Sequence, residues 1–217
     1  MTIYALSSGP GISGIAVVRD DIIYFRRSTG RLRNLHDLLT RSPIDGTYGL
    51  GHTRWATHGK PCEENTHPLQ DCTGRIAVVH NGIIENYAEL RARLQSQGHK
   101  FSSDTDTEVL VNLIASHRRT QEVSLHQAVQ LALKEVRGAY AIVVLSPLEP
   151  DTLIVARVDS PLVVGLSESG QFAASDMPAL LHLTRNFLIL ENGESAILRP
   201  EGVTLFDAKG EPTQRNP

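Results

Sequence analysis

The sequence predicts an α+β fold in which antiparallel sheets pack under helices. Strand-like and helix-like runs are segregated along the chain rather than alternating, which argues against a parallel βαβ sheet. Short β-rich runs are joined by tight turn signals such as Asp20-Asp21 and Asn192-Gly193. The 217 residues, 41% hydrophobic and 21% charged, have an ordinary globular composition and enough length to bury one sizeable core, so residues 1–217 are expected to form a single domain.

Taken in order, Thr2 to Leu6 reads as a short strand, Ser7 to Gly11 as a turn, and Ile12 to Arg19 as a strand that returns through Ile22 to Arg26. Leu32, Leu35, Leu38 and Leu39 recur every three or four residues, one face of a helix ending near Pro43. Gly46 to Leu50 alternates as a strand and gives way to a loop running to about Thr73. Arg75 to His80 is a compact apolar strand, and Asn81-Gly82 is expected to break it. Ile84 to Gln97 has helical spacing with Gly98 placed to cap it. Thr105-x-x-Glu108 is a capping box that opens a helix with Asp106 in its first turn. Ser124 to Val136 is a further helix. Strands follow at Ala139 to Leu145, Thr152 to Ala156, Leu162 to Leu166 and Gln171 to Ala174, then a short helix near Met177 to Leu183. A hairpin over Asn192-Gly193 is expected in Phe187 to Leu198, with a last strand at Val203 to Phe206.

The chemistry concentrates at Gly51-His52-Thr53-Arg54-Trp55-Ala56-Thr57-His58-Gly59, where the strand ends and the long loop begins. Loops beyond about 12 to 15 residues inside a compact domain are usually functional or disordered, and this one carries too many specific side chains for disorder. An arginine beside the only tryptophan suits a carboxylate-binding pocket. The plain alternative is a core tryptophan next to an arginine paired at the surface.

This stretch, followed by Val78-Val79-His80-Asn81-Gly82-Ile83-Ile84-Glu85-Asn86 and by Thr105-Asp106-Thr107-Glu108, resembles the glutaminase domain of type II glutamine amidotransferases, nearest the glucosamine-6-phosphate synthase branch. The likeness runs from about Ser13 to about Asp207. It implies the four-layer αββα sandwich of the N-terminal-nucleophile hydrolases, with the first strand-helix unit shortened. It also implies hydrolysis of L-glutamine to glutamate and ammonia for amino-sugar synthesis. Such acyl transfer needs a nucleophile, a base, and donors for the oxyanion of the tetrahedral intermediate. By resemblance the catalytic donors are the Asn81 amide and the Gly82 backbone N–H. On spacing alone Asn81-Gly82 reads equally well as a turn that wants glycine for positive φ. Arg54 can take the substrate carboxylate with two parallel hydrogen bonds, and the resemblance gives the substrate ammonium to Asp106, which as a first-turn acid also complements a helix dipole. Thr57 and His58 match loop residues that contact glutamine. Trp55 matches one that closes over the site, so the loop from Trp55 onward is expected to act as a lid.

The first dozen residues depart from the resembled family, whose mature chain begins with a cysteine that uses its own amino group as base. Here Met1-Thr2-Ile3-Tyr4-Ala5-Leu6 leads directly into Ser7 to Ser13, without that cysteine, the following helix or its arginine. Thr2 to Val18 is closer to the opening of the folate-binding domain of the tRNA-uridine-modifying GTPases, over a short span. Removal of Met1 would leave Thr2 with a free amine, and an N-terminal threonine can act as nucleophile with that amine as base. Cys62 and Cys72 sit in the loop rather than opposite Asn81. The chain stops at Pro217, where the family's sugar-isomerase domains would begin, so a separate isomerase domain or subunit is the expected partner and a homodimer is allowed. Two alternatives stand beside hydrolysis: a module that binds glutamine without cleaving it, and a fragment whose missing strand-helix unit leaves apolar sheet surface bare.

A net charge of −3 without a dense Lys/Arg run argues against nucleic-acid binding, and the Arg26-Arg27, Arg31, Arg33 cluster reads as a solvated face. No stretch approaches the 18 or so apolar residues of a membrane span. A cytoplasmic setting with free thiols at Cys62 and Cys72 is expected. The spacing of His52, His58, Cys62, His67 and Cys72 fits no paired-ligand pattern, so neither a metal nor another cofactor is expected.

Overall fold

The computed structural model describes residues 5–6, 11–54 and 62–215, with side chains described for 11–53 and 62–215. The elements in chain order are β1 (Ala5–Leu6), β2 (Gly11–Arg19), β3 (Ile22–Gly30), α1 (Leu32–Arg41), β4 (Tyr48–Arg54), β5 (Leu69–Gln70), β6 (Ala77–Ile84), α2 (Tyr87–Ser96), α3 (Asp106–Gln121), α4 (Leu125–Leu133), β7 (Gly138–Leu145) and β8 (Leu153–Val158). There follow β9 (Val163–Ser167), β10 (Gly170–Ala174), a 3-10 turn at Met177–Ala179, β11 (Asn186–Ile189), β12 (Ser195–Arg199), β13 (Gly202–Phe206) and β14 (Pro212–Thr213). They form a four-stranded sheet β1-β4-β2-β3, a three-stranded sheet β10-β9-β11 and a seven-stranded sheet β14-β13-β12-β8-β7-β6-β5.

The layers follow from the period-two alternation of each strand. Ala16, Val18 and Leu50 of the four-stranded sheet, with Val164, Ala173 and Leu188 of the three-stranded one, meet Ala77, Val79, Ala141, Val143 and Val155 of the seven-stranded sheet in one inter-sheet core. The opposite parity on the seven-stranded sheet, Val78, Ile84, Ile142, Val144 and Ile154, packs under α2, α3 and α4 through Leu90, Leu94, Leu110, Leu113 and Val129. On the far side Ile15 and Val17 pack with Leu35 of α1 and with Ile44. The order helix, sheet, sheet, helix is the αββα sandwich that the resemblance implies. Residues 7–10, between Leu6 and Gly11, lie outside the described residues. Ile15 and Val17 are 3% and 0% exposed, so the bare apolar sheet face expected of a fragment is not found at these positions.

Several expectations are corrected. Asn81-Gly82 does not break β6: the strand runs on to Ile84 in register with β7, Asn81 opposite Ala141 and Gly82 opposite Tyr140. Helix α2 therefore starts at Tyr87, three residues later than its apolar spacing suggests. The long loop is interrupted by β5, which pairs with β6. Phe187 to Leu198 is not a hairpin, because β11 joins β9 while β12 joins β8 and β13 in the other sheet. The chain changes sheets at Asn192-Gly193, where the Asn192 side chain bonds both the backbone N–H and the carboxylate of Asp159. The capping box of α3 is only half formed. Thr105 Oγ1 accepts from Glu108 N–H, but the Glu108 carboxylate turns to the backbone N–H and hydroxyl groups of Ser102 and Ser103. Arg26 and Arg27 are not a solvated face: Arg26 bonds the Ser42 carbonyl and hydroxyl, and Arg27 donates to the Pro68 carbonyl at 2.6 Å. Burial lowers the Arg27 pKa, opposed by Glu63, Glu108 and Glu64.

Helix α4 carries a buried histidine against the seven-stranded sheet. His126 Nε2 lies 3.0 Å from Ser195 Oγ and its ring centroid 4.0 Å from that of Phe206, and burial pushes its pKa from 6.5 down to about 4. The unfolded chain therefore takes up a proton as pH falls below about 6.5 that the folded chain refuses until about 4. Stability is expected to be full above that window, to fall through it and to level off below it. Urea midpoints measured across the window should show this slope, and His126→Gln, which can still bond Ser195, should flatten it.

Candidate active site

The site forms where β4 of one sheet faces β6 of the other. Leu50 and His52 have the same parity on β4, and Ala77, Val79 and Asn81 the same parity on β6, so the row that builds the inter-sheet core ends in a polar pair. His52 Nε2 lies 3.0 Å from Asn81 Oδ1. With the amide oxygen accepting from the imidazole, the Nδ2 donors of Asn81 turn away from His52.

The outer edge of β6 beyond Val78 is not covered by β5, which pairs only with Ala77 and Val78. Glu85 N–H reaches Arg137 O across the β7 ladder, so the odd-numbered N–H groups of β6 face β7 and the even-numbered ones face the open edge. Along that edge His80 N–H goes to His67 Nδ1 at 3.4 Å and Ile84 N–H to Asp106 Oδ2 at 2.8 Å. Gly82 N–H lies between them, with no partner among the described residues. A side chain at residue 82 is excluded, because its Cβ would stand 2.0 Å from the Ala139 carbonyl oxygen at a φ of +130°.

Two loops frame this edge. In the first, His67 stacks on His52 with ring centroids 4.5 Å apart. The backbone of that loop passes so close to β2 that a Cβ on Gly14 would meet the His67 carbonyl at 2.4 Å. The second is the turn into α3, tied to the first by Asp104 N–H donating to Asn65 Oδ1 at 3.0 Å. Below the strand, buried His80 places Nδ1 3.0 Å from Thr107 Oγ1 and 4.0 Å from Asp106 Oδ2. Asp106 is thus held at Oδ2 by Ile84 N–H, with the Thr107 hydroxyl donating more weakly to Oδ1 at 3.4 Å, while its side chain keeps 22% exposure.

The structure brings together Asn81 and Gly82 of β6 and Asp106 at the helix start, which bonds Ile84 two residues further along the same strand. Arg54 ends β4 opposite Ile12, two residues past His52. The Arg54 side chain and the whole of Thr2, Trp55, Thr57 and His58 lie outside the described residues. Cys72 is far from Asn81: on the order of 13 Å of strand separates Ala77 from Asn81, and Cys72 lies beyond Ala77. Both cysteines are free thiols. His52, His67, His80 and Thr107 were not legible as site residues. For His52 the signal was present, since it stands two residues before Arg54 on an alternating strand.

Two facing sheets between helical layers, with an asparagine-glycine pair on the strand beside the inter-sheet gap, define a glutamine amidotransferase domain of the N-terminal-nucleophile type. The profile of the family described as "Glutamine amidotransferase domain" matches residues 52–182, more than half of the chain, and the chain belongs to that family. The glutamine--fructose-6-phosphate aminotransferase [isomerizing] of Symbiobacterium thermophilum is 50% identical over 202 residues, covering 93% of this chain and 33% of that protein. Its counterpart in Clostridium tetani is 47% identical over 203 residues, with 94% and 33% covered. Among solved structures, the glutamine phosphoribosylpyrophosphate amidotransferase of B. subtilis complexed with ADP and GMP superposes with a TM-score of 0.77 at 26% identity, over 96% of this chain and 44% of that one. The chain spans about a third of the length of the curated relatives it matches.

Gly82 is expected to be the least replaceable position of the site. Gly82→Ala forces a Cβ into the β7 backbone and should destabilise the fold by several kcal/mol. Gly98→Ala has a positive φ of +89° but meets nothing within 4 Å, and should cost about 1 kcal/mol. Thermal melts of the two variants against the parent check the difference.

Proposed function

We propose that the chain is a single glutaminase-type domain that binds L-glutamine and hydrolyses its side-chain amide to glutamate and ammonia. The ammonia would pass to a sugar phosphate held by a separate isomerase domain or subunit, as the names of the aminotransferase relatives suggest, and we place this reaction in the cytoplasm. The observation that carries this reading is the Gly82 N–H, without a partner among the described residues, on the edge of β6 between the N–H groups held by His67 and Asp106.

In this reading the glutamine amide carbonyl points at Gly82 N–H and Asn81 Nδ2, two donors placed before charge develops on the oxygen. His52 is a positioning residue, because it holds the Asn81 amide in the donor-forward orientation. The oxygen of Asp106 that does not hold Ile84 receives the substrate ammonium, and Arg54 at the end of β4 receives the carboxylate. Trp55, Thr57 and His58 supply the lid. The attacking group is assigned to Thr2, exposed by removal of Met1, with its own α-amine as base.

Asn81→Ala should lower kcat for ammonia release by about 10² to 10³ with a smaller change in KM, the cost of one oxyanion donor in comparable enzymes. Asp106→Asn should raise KM for glutamine about 10- to 100-fold, the worth of a charge-assisted hydrogen bond. The central experiment is a coupled glutamate and ammonia assay on protein whose N-terminus is defined by intact mass, with Thr2→Ala alongside. Loss of turnover with retained calorimetric glutamine binding in Thr2→Ala supports the assignment. Absence of glutamine binding by the parent chain overturns the function, and full activity in Thr2→Ala overturns the nucleophile.

A further inference from the structure

In each of the two motifs that build the candidate site, a residue beside the one assigned to the ligand turns inward, and these two neighbours meet. On β6, Asn81 faces His52 across the inter-sheet gap, so His80 lies on the opposite, helix-covered face. In the first turn of α3, Thr107 follows Asp106 and is fully buried. His80 Nδ1 lies 3.0 Å from Thr107 Oγ1, and the His80 side chain is 1% exposed. The imidazole is therefore shut away from the face that carries the Asn81 amide. A buried histidine bonded to a buried threonine is, taken alone, ordinary satisfaction of core polar groups.

Here the pair does not stand alone, because Thr107 Oγ1 is also 3.4 Å from Asp106 Oδ1. The hydroxyl has one hydrogen and two neighbours that could accept it. An ionised carboxylate can only accept, and a bond to it is stronger than one to a neutral ring nitrogen. Thr107 therefore donates to Asp106, and its oxygen accepts from His80 Nδ1–H. The other carboxylate oxygen, Oδ2, accepts from Ile84 N–H at 2.8 Å and lies 4.0 Å from His80 Nδ1. Both oxygens of Asp106 are thus tethered from the protein side, which sets the plane of the carboxylate. The exposed fraction of the side chain leaves its remaining lone pairs open to a donor from outside.

We propose that His80 and Thr107 are positioning residues of the ammonium subsite: the relay from His80 Nδ1–H through the Thr107 hydroxyl to Asp106 Oδ1 holds the carboxylate in the orientation that receives the α-ammonium of the substrate. The inference rests on the reading of Asp106 as the ammonium ligand of a glutamine pocket. Its consequence is selective. The amide of glutamine is assigned to Asn81 and Gly82 and its carboxylate to Arg54, so loss of the relay costs only a ligand that carries an α-amine. Preference for L-glutamine over 4-carbamoylbutanoate, the same molecule without that amine, then depends on two residues that touch neither compound.

The test is titration of the full chain with both compounds, followed by ligand-observed NMR, which also reveals any glutamate formed. The parent should bind L-glutamine about tenfold or more tighter than 4-carbamoylbutanoate. Thr107→Val should weaken L-glutamine about three- to tenfold, the net worth of one hydrogen bond, and leave 4-carbamoylbutanoate within about twofold. Thr107→Ser, which keeps the hydroxyl, should bind both as the parent does. His80→Leu should match Thr107→Val, whereas His80→Asn, whose amide nitrogen can stand in for Nδ1, should restore most of the affinity. Equal weakening of both compounds in Thr107→Val, the mark of a merely structural role, overturns the proposal, and so does no weakening of either. If Thr107→Val melts without cooperativity, the comparison of His80→Leu with His80→Asn decides, and equal L-glutamine affinity in those two overturns it. All of these outcomes leave the glutamine pocket standing. Absence of L-glutamine binding by the parent removes that pocket itself and this proposal with it.

Discussion

Strand β6 is the constraint on which the site depends, because it answers to three neighbours at once. Its odd side chains complete the inter-sheet core, its even ones lie under the helices, and beyond Val78 its outer edge pairs with no strand among the described residues. A strand can meet all three demands only in one register, since a slip of one residue would exchange the two faces. In that register Asn81 falls opposite His52 and His80 falls under α3. The polar residues therefore need no special loop to bring them together. They continue rows of side chains that hydrophobic burial has already aligned.

Helix α3 supplies the second half of the site, and its start is held more firmly than a helix end usually is. Thr105 caps it, while the Glu108 carboxylate, 3% exposed, collects four donors from Ser102 and Ser103. A buried carboxylate is tolerable only when it is satisfied in this way. The result is that the turn into α3 has one conformation, and Asp106 reaches Ile84 N–H in place of a missing strand neighbour. The same turn grips the preceding loop through Asn65 and Asp104, and Arg27 grips that loop from β3. The surroundings of β6 are thus cross-linked by polar contacts over long sequence separations, none of which a local pattern could announce.

That contrast sets how much was legible in the sequence. Segregated strands and helices gave the α+β class, and the helices with three-to-four spacing or a capping serine or threonine were found within a few residues. The motif around Arg54 stood out by its residue types, whereas the Asn81-Gly82 pair and Asp106 were singled out by the family resemblance and read equally well as a turn and a first-turn acid without it. What failed was turn chemistry read without tertiary context. Asn81-Gly82 and Asn192-Gly193 carry the same dipeptide; one lies inside a paired strand and the other crosses between sheets. The capping box failed for a related reason, since Glu108 found better donors in Ser102 and Ser103 than in the cap itself. His52 and His80 were hidden because histidine on a buried face is uninformative until its partner across the sheets is known.

Gly82 has a conformational requirement that is fully visible in the structure. Its φ of +130° and the Ala139 carbonyl 2.0 Å from any Cβ give a complete structural reason for glycine on the β7 side. That reason concerns only one edge of the strand. On the other edge the same residue presents an N–H between two N–H groups that the protein has taken care to satisfy, one with an imidazole and one with a carboxylate. The conformational requirement keeps the position free of side chain, and that bareness is what lets an acceptor from outside the chain approach the N–H.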